Sequence, residues 1–461
     1  MTGTDVTRLL PELMLAASAV AGLLLGSWLP RRRQAAVRWL GVAGALGGLV
    51  AAAAGWSAQP VVAFGTSYVV DTVTGVGRVV VLAATAVVLV LAGDPTSWGG
   101  HHRETEFAVL VQLAAVGTML LTGANDLLLL AAAYLLASVP LYAVAGLRRD
   151  ARGTEAALKY FLSGALLGLV LLLGVTLLLG LGRSTAYPVL AATLPAAPPI
   201  GVGVALVAVL GGLLFKMGGV PGHFWVPDAT DGTPPATGAF LTTVGKVGGL
   251  LATWRLLVET MPTTVDWPLL VALLAAASMV LGTLGAFAQT SLRRLLAYST
   301  VAQVGFLLVP IAVATRSALA LPALLAYLGA YAVTNLVLFA ALAARPHALE
   351  IADQRGLARE RPGLAAAVMI GLLGLVGTPP TVVFVGKLAA FGAAVDGGMA
   401  WLAALAVAAS IASLFYSLRW IAPVLTAGEC PVGGVAPRAR VIAGVLAVAS
   451  VLGAAAGPLL G

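Results

Sequence analysis

Apolar runs of about twenty residues recur from one end of this 461-residue chain to the other, and little separates them. A run of that length crosses the ~30 Å hydrocarbon core of a bilayer as an α-helix. Inside hydrocarbon every backbone N–H and C=O needs a partner within the protein, so only helices and closed barrels span it. These runs are continuous rather than alternating, which selects helices. Hydrophobic residues make up 60% of the chain and charged residues 10%, with a mean hydropathy of +1.02. A soluble fold of this size has no interior large enough for them. The chain reads as an all-α polytopic membrane protein, one membrane domain over residues 1–461 with about fourteen transmembrane helices. The first run, residues 9–29, lacks a basic leading segment and a small-residue cleavage site, so it is expected to be retained as a helix.

The formal charge of +8 does not point to nucleic acid, because the arginines lie between spans. Loops after odd-numbered spans hold Arg31, Arg32, Arg33, Arg103, Arg148, Arg149, Arg152, Arg293 and Arg294, among others. Loops after even-numbered spans hold little beyond Arg183, Arg255 and Arg316. The positive-inside rule then makes the odd-numbered loops cytoplasmic and turns both termini outward. The single Cys430 excludes a disulfide framework and any multi-cysteine zinc or iron–sulfur site. Four scattered histidines support no metal site, and His101 and His102, beside Arg103, are expected to be solvated.

Against this arginine-rich background the four lysines are Lys159, Lys216, Lys246 and Lys387, all within or at the edge of apolar stretches. An amine in hydrocarbon costs several kcal/mol unless it finds a partner, water or its neutral form. Arginine keeps its proton near neutral pH, whereas a buried lysine can release it. The lysines are therefore candidates for loading and unloading protons. Lys246 stands in the middle of the eighth span, residues 236–254, where snorkelling to the interface is difficult. Lys159 follows Glu155 by four residues, so an ordinary helical ion pair explains it as well as a functional role does.

Two spans are expected to be broken. The seventh, residues 200–218, runs into Gly218-Gly-Val-Pro-Gly222, and the twelfth, residues 364–395, contains Gly377-Thr-Pro-Pro380. Proline removes a backbone donor and clashes with the preceding turn. Interrupted helices in corresponding positions of two halves point to inverted repeats. Two five-helix repeats are inferred, residues 107–254 and 267–425, with Lys216 before the first break and Lys387 after the second. His223 lies just past the first break, where proton exchange with water and a capping or packing role are equally open.

The stretch Phe215-Lys-Met-Gly-Gly-Val-Pro-Gly-His-Phe-Trp-Val-Pro-Asp228 resembles the signature of the antiporter-like subunits of respiratory complex I. Further stretches are similar to the subunit N group of bacterial NADH–quinone oxidoreductases, relatives of mitochondrial subunit 2. They are Thr154-Glu-Ala-Ala-Leu-Lys-Tyr-Phe161, Gln289-Thr-Ser-Leu-Arg-Arg-Leu-Leu-Ala-Tyr-Ser299, Gly377-Thr-Pro-Pro-Thr-Val-Val-Phe-Val-Gly-Lys387 and Asp353-Gln-Arg-Gly-Leu-Ala358. The resemblance covers nearly the whole chain. It implies fourteen helices with broken helices 7 and 12, and a bacterial plasma-membrane location. It implies a midplane proton relay through Lys216, Lys246 and Lys387, coupled to quinone reduction elsewhere in the complex. NAD, FMN, iron–sulfur clusters and quinone are expected on partner subunits and no cofactor on this chain. The partners implied are other membrane subunits, antiporter-like homologues among them, within the lipid bilayer. The chain departs from the family at Tyr134, where a glutamate is usual, and at Gln303, where many relatives have histidine. A tyrosine can donate a hydrogen bond to a neighbour but offers no countercharge at neutral pH; Asp126, two turns away, is expected to be too distant. Two other readings stay open: a diverged, non-pumping structural subunit of a partial or alternative complex, and a cation/proton antiporter-type subunit.

Overall fold

A computed structural model describes residues 3–93, 103–428 and 436–456. His101, His102, Cys430 and the expected end of the last span at Leu460 lie outside the described residues. The chain starts with α1 (Gly3–Arg8), α2 (Leu10–Trp28) and α3 (Ala35–Ala54). An antiparallel hairpin follows, β1 (Val61–Ala63) with β2 (Tyr68–Val70), pairing Val61 with Val70 and Ala63 with Tyr68. Next come α4 (Thr72–Leu91), α5 (Glu104–Gly123), α6 (Leu127–Ala145), α7 (Ala151–Gly182), the short α8 (Tyr187–Thr193) and α9 (Pro199–Met217). After the first interruption lie α10 (Trp225–Gly232), α11 (Pro235–Thr260), α12 (Trp267–Phe287), α13 (Leu292–Ala312) and α14 (Ala320–Ala344). The one-turn α15 (Leu357–Glu360) precedes α16 (Pro362–Val376), and a second interruption separates it from α17 (Val382–Asp396). The last two helices are α18 (Ala400–Leu425) and α19 (Pro437–Ala456).

Among the described residues, twelve helices are long and apolar enough to cross a membrane. The other two of the fourteen expected spans fall on α11 and on the interrupted α16–α17 pair. Spans start where a short polar side chain meets the free N–H groups of a first turn. Asp71 accepts from Thr74 N, Asp126 from Leu128 N, Asp150 from Gly153 N, and Ser291 from Arg294 N.

Two features depart from the sequence reading. The hairpin and α8 lie in connections between spans, the hairpin being a strand pair in a chain read as all-α. Arg255, expected as a loop arginine, is fully buried, because α11 continues to Thr260. Its guanidinium meets Asp71 at 2.5 Å, Glu259 at 2.8 Å and the Thr122 carbonyl at 2.7 Å. A buried guanidinium needs such a set of partners. A second buried pair, Arg78 with Glu12 at 2.7 Å, ties α4 to α2, and Tyr68 Oη donates to the same carboxylate at 2.9 Å.

The helix α11 runs through the centre, and every residue in it except Val258 and Glu259 is buried. It packs against α4, α5, α9, α13 and α14. The interrupted α9–α10 pair packs directly on α11, and α16 and α17 pack on α14, which itself packs on α11.

Candidate functional site

Each interruption is closed by the same backbone device. Gly218 takes φ +76° and Gly377 φ +86°, the left-handed conformation that ends helices cheaply only at glycine. Gly219 N then donates to Leu214 O at 2.8 Å and Gly218 N to Phe215 O at 3.1 Å. At the second break Thr378 N donates to Leu373 O at 3.0 Å and Gly377 N to Gly374 O at 2.8 Å. This is the Schellman pattern, and it leaves the last two helical carbonyls before each glycine without a backbone donor. Those carbonyls belong to Lys216 and Met217 in one case and to Leu375 and Val376 in the other. In hydrocarbon, where water does not supply the missing donor, a side chain has to.

Lysines supply it. Lys246 Nζ, from α11, donates to Met217 O at 2.6 Å. Lys387 Nζ, from α17, donates to Val376 O at 2.9 Å, to Leu375 O at 3.1 Å and to Ser410 Oγ of α18 at 2.9 Å. It also sits 4.0 Å from the centre of the Phe306 ring. Lys216 turns away from its own break toward α6, donating to the Ala137 carbonyl and, at 3.2 Å, to Ser138 Oγ. Pro140 lies inside α6 just beyond them. The three amines are all 2% exposed or less. None meets a carboxylate within salt-bridge distance among the described residues.

Neutral polar groups cluster beside Lys246 and beside Lys387. Lys246 Nζ lies 3.5 Å from the Thr300 carbonyl on α13. The Thr300 hydroxyl is 3.3 Å from Tyr331 Oη of α14, which donates to the Thr242 carbonyl of α11 at 2.6 Å. Asn335 Nδ2 reaches the Thr242 and Thr243 hydroxyls at 2.9 Å. One turn along the same pair of helices, Tyr327 Oη donates to Gln303 Oε1, and Gln303 Nε2 donates to Leu375 O at 2.8 Å. Leu375 O is also an acceptor of Lys387. The α13 pair Thr300 and Gln303 and the α14 pair Tyr327 and Tyr331 have the three- and four-residue spacing that puts side chains on one helix face.

The remaining candidates stand apart from this row. Tyr134 is buried on α6, but its hydroxyl has no hydrogen-bond partner among the described residues. Lys216 bonds instead to Ala137 and Ser138, one turn on. Asp126 is committed to capping α6 and to the Thr185 hydroxyl at 2.6 Å. Lys159 is exposed, paired with Glu155 at 2.7 Å and with Asp228 at 2.8 Å, and Asp228 also holds Arg294 at 2.6 Å. His223 lies in the turn before α10, half-buried, with Nδ1 unpartnered and its carbonyl accepting from Val226 N at 2.9 Å. It bonds to none of the three lysines.

Sequence reasoning did not find Ser138, Thr300, Tyr327, Tyr331, Asn335 or Ser410. The one local signal was Tyr327 and Tyr331, two tyrosines four residues apart in an otherwise apolar span.

Residues 124–413, which contain all three buried lysines, match the family model described as NADH:quinone oxidoreductase/Mrp antiporter, transmembrane. NADH-quinone oxidoreductase subunit N 1 of Streptomyces griseus is 51% identical over 438 residues, 95% of this chain and 92% of that protein. A chain of respiratory complex I from Thermus thermophilus superposes with a TM-score of 0.82 at 31% identity, covering 98% of each chain. A chain of the Mrp complex from a Dietzia species shares the fold, with a TM-score of 0.83 at 22% identity over 100% of this chain and 96% of that one. The chain, a multi-pass membrane protein, thus belongs to the NADH:quinone oxidoreductase/Mrp antiporter family, and within it to the subunit N group.

Proposed function

We propose that this chain is a membrane-arm subunit of a proton-translocating NADH–quinone oxidoreductase, moving protons through Lys216, Lys246 and Lys387. The observation that carries the reading is the set of three buried amines, bonded only to neutral acceptors, with hydroxyl and amide groups gathered beside Lys246 and Lys387. A charged amine without a carboxylate is poorly compensated in hydrocarbon, so a proton arriving at one lysine raises the cost of holding one at the next. Redox energy enters from outside this chain: NAD, FMN, iron–sulfur clusters and quinone belong to partner subunits. Its membrane neighbours are other subunits of the complex, antiporter-like homologues among them, in the bacterial plasma membrane. Both termini face the outer side in this reading, which the arginine distribution supports.

Two inverted five-helix repeats, residues 107–254 and 267–425, frame the relay. Supporting this, contacts recur in order: α5 with α6 as α12 with α13, α5 with α11 as α12 with α18, and α9 with α11 as α16 with α18. Lys159 and His223 sit toward the cytoplasmic side of the first break and are peripheral to the relay in this reading.

The unpartnered Tyr134 favours a second reading, a subunit that keeps the fold without pumping. The experiment is to purify the complex from gently solubilised native membranes, identify its subunits by mass spectrometry, and measure proton/electron stoichiometry in proteoliposomes. Flavin and iron–sulfur subunits, with a stoichiometry that falls in Lys246→Ala, support the relay. An unchanged stoichiometry leaves the non-pumping reading, and a complex of antiporter-like chains alone leaves a cation/proton antiporter.

A further inference from the structure

Beside Lys387 lies a cleft of about 370 Å³ that none of the relay needs. Its walls are Phe384, Leu388 and Phe391 of α17 and Val407 and Ile411 of α18. Its polar residues, Lys387, Ser410 and Thr378, are gathered beside the break, with Lys387 Nζ on Ser410 Oγ. Leu388 and Ile411 are 60% and 58% exposed, so the cleft opens on the outside of the bundle, where a membrane protein meets lipid tails. The volume falls within the usual range of small-ligand sites, and an apolar cleft with one cluster of polar groups is the usual form of such a site.

The occupant is fixed by size and charge. A helix about 10–12 Å across does not enter such a cleft, whereas a single acyl chain does. Phospholipid headgroups stay at the interface, far from a lysine at a helix break. The amine has no carboxylate partner among the described residues, and its present acceptors are two carbonyls and a serine hydroxyl. We propose that the cleft binds a long-chain fatty acid that enters sideways from the bilayer, its tail between α17 and α18 and its carboxyl group on Lys387.

Charge balance permits this route. The acid enters uncharged, which avoids carrying a bare carboxylate through hydrocarbon. Its O–H bond breaks as a new N–H bond forms on the amine form of Lys387, whose two N–H groups stay on Leu375 O and Val376 O and whose lone pair replaces the bond to Ser410, giving a carboxylate–ammonium pair with no change in net charge. The pair is a charge-assisted hydrogen bond, stronger than the bond to Ser410 that it displaces. Binding itself does not rest on the relay reading; inhibition of proton transport by the bound acid does.

The test uses the intact purified complex in nanodiscs and a fatty acid with a photoreactive diazirine near the tail end, with peptide mapping after illumination. Labelling is expected within residues 384–391 and 407–414, with its methyl ester about ten-fold weaker, since the ester has neither proton nor charge to give. Ile411→Trp, which narrows the mouth without touching the lysine, is expected to remove the labelling while the complex assembles and turns over normally. Lys387→Met is expected to bring acid labelling down to the ester level. Equal labelling by acid and ester, labelling unaffected by Ile411→Trp, or none on α17 and α18 overturns the site. Specific labelling without any fall in proton transport keeps the site and counts against Lys387 as a relay residue.

Discussion

At the first break the final helical carbonyl, of Met217, is held by a lysine from α11; at the second the equivalent carbonyl, of Val376, is held by Ser410 of α18 at 2.7 Å together with Lys387. The backbones of the two breaks are built alike, each a glycine at positive φ with prolines just beyond. The side chains that complete them are not. The residue two before the glycine is Lys216 in one case and Leu375 in the other, and the carbonyl of Leu375 is served by Gln303 of α13. One break takes its amine from a neighbouring helix while its own lysine turns to α6; the other takes a single amine from its own far half. A fold that repeats thus needs to repeat only its unsatisfied carbonyls, and the donors that meet them are free to change identity. Where the donor is a lysine, the position can carry a proton as well as complete a hydrogen bond.

The widest expected gap between the two breaks is functional. Lys246→Ala removes the donor to Met217 and an amine of the proposed relay together, while Ser410→Ala leaves Lys387 on Val376. Lys246→Ala is expected to lower the proton/electron ratio with the complex still assembled. Ser410→Ala is expected to keep the ratio and to lower stability by about 1 kcal/mol, the usual worth of one hydrogen bond. Equal ratios in the two variants, measured by proton uptake in proteoliposomes, would erase the functional distinction.

A steric comparison comes next. A Cβ at Gly218 meets Val226 Cγ2 at 2.7 Å, and one at Gly377 meets Lys387 Cδ at 2.8 Å. Either alanine substitution brings about 1–2 kcal/mol of left-handed strain. Gly218→Ala is expected to lower the melting temperature of the complex further, because a branched valine yields less than a flexible lysine stem. The reverse order would mean that the Lys387 position is the more tightly held of the two.

Tyr134→Glu restores a carboxylate one turn from the Lys216 acceptors and is expected to alter the pH profile of pumping; an identical profile would show that α6 at this level is outside the relay. The smallest effect is expected from Lys159→Gln. Its ion pairs are exposed and screened, so proton transport should stay near the parent level. A loss as large as that of Lys246→Ala would extend the proposed relay to the exposed end of α7.

Much of this arrangement is legible in the chain because its signals are local. A Gly-Gly-Val-Pro or Gly-Thr-Pro-Pro stretch in a hydrophobic run announces a break whatever surrounds it, and a lysine in mid-span is conspicuous. The boundaries of α4, α6, α12 and α18 follow the apolar runs to within a few residues. Partner choice is another matter. Gln303 and Leu375, or Thr300 and Tyr331, are brought together by packing between helices, and nothing in either local sequence names the other. Tyr134 shows the converse: a position prominent in the sequence pattern is bypassed because Ala137 and Ser138 lie nearer the amine. Arg255 was misplaced because a hydropathy run ends where charges begin, while the helix, fully enclosed by protein there, does not.

That enclosure bears on how the chain is made. The helix α11, with Lys246, Arg255 and Glu259, is not among those apolar enough to enter a bilayer by themselves. Each ionisable group at mid-span opposes transfer from the insertion machinery into lipid by a few kcal/mol. Two of its ionisable groups find carbonyls on helices synthesised earlier, Arg255 on Thr122 of α5 and Lys246 on Met217 of α9. Nascent chains truncated before α9 or α11 therefore mark the step at which the most polar span of the bundle is accepted into the membrane, and the residues best suited to proton traffic are the last to tolerate lipid alone.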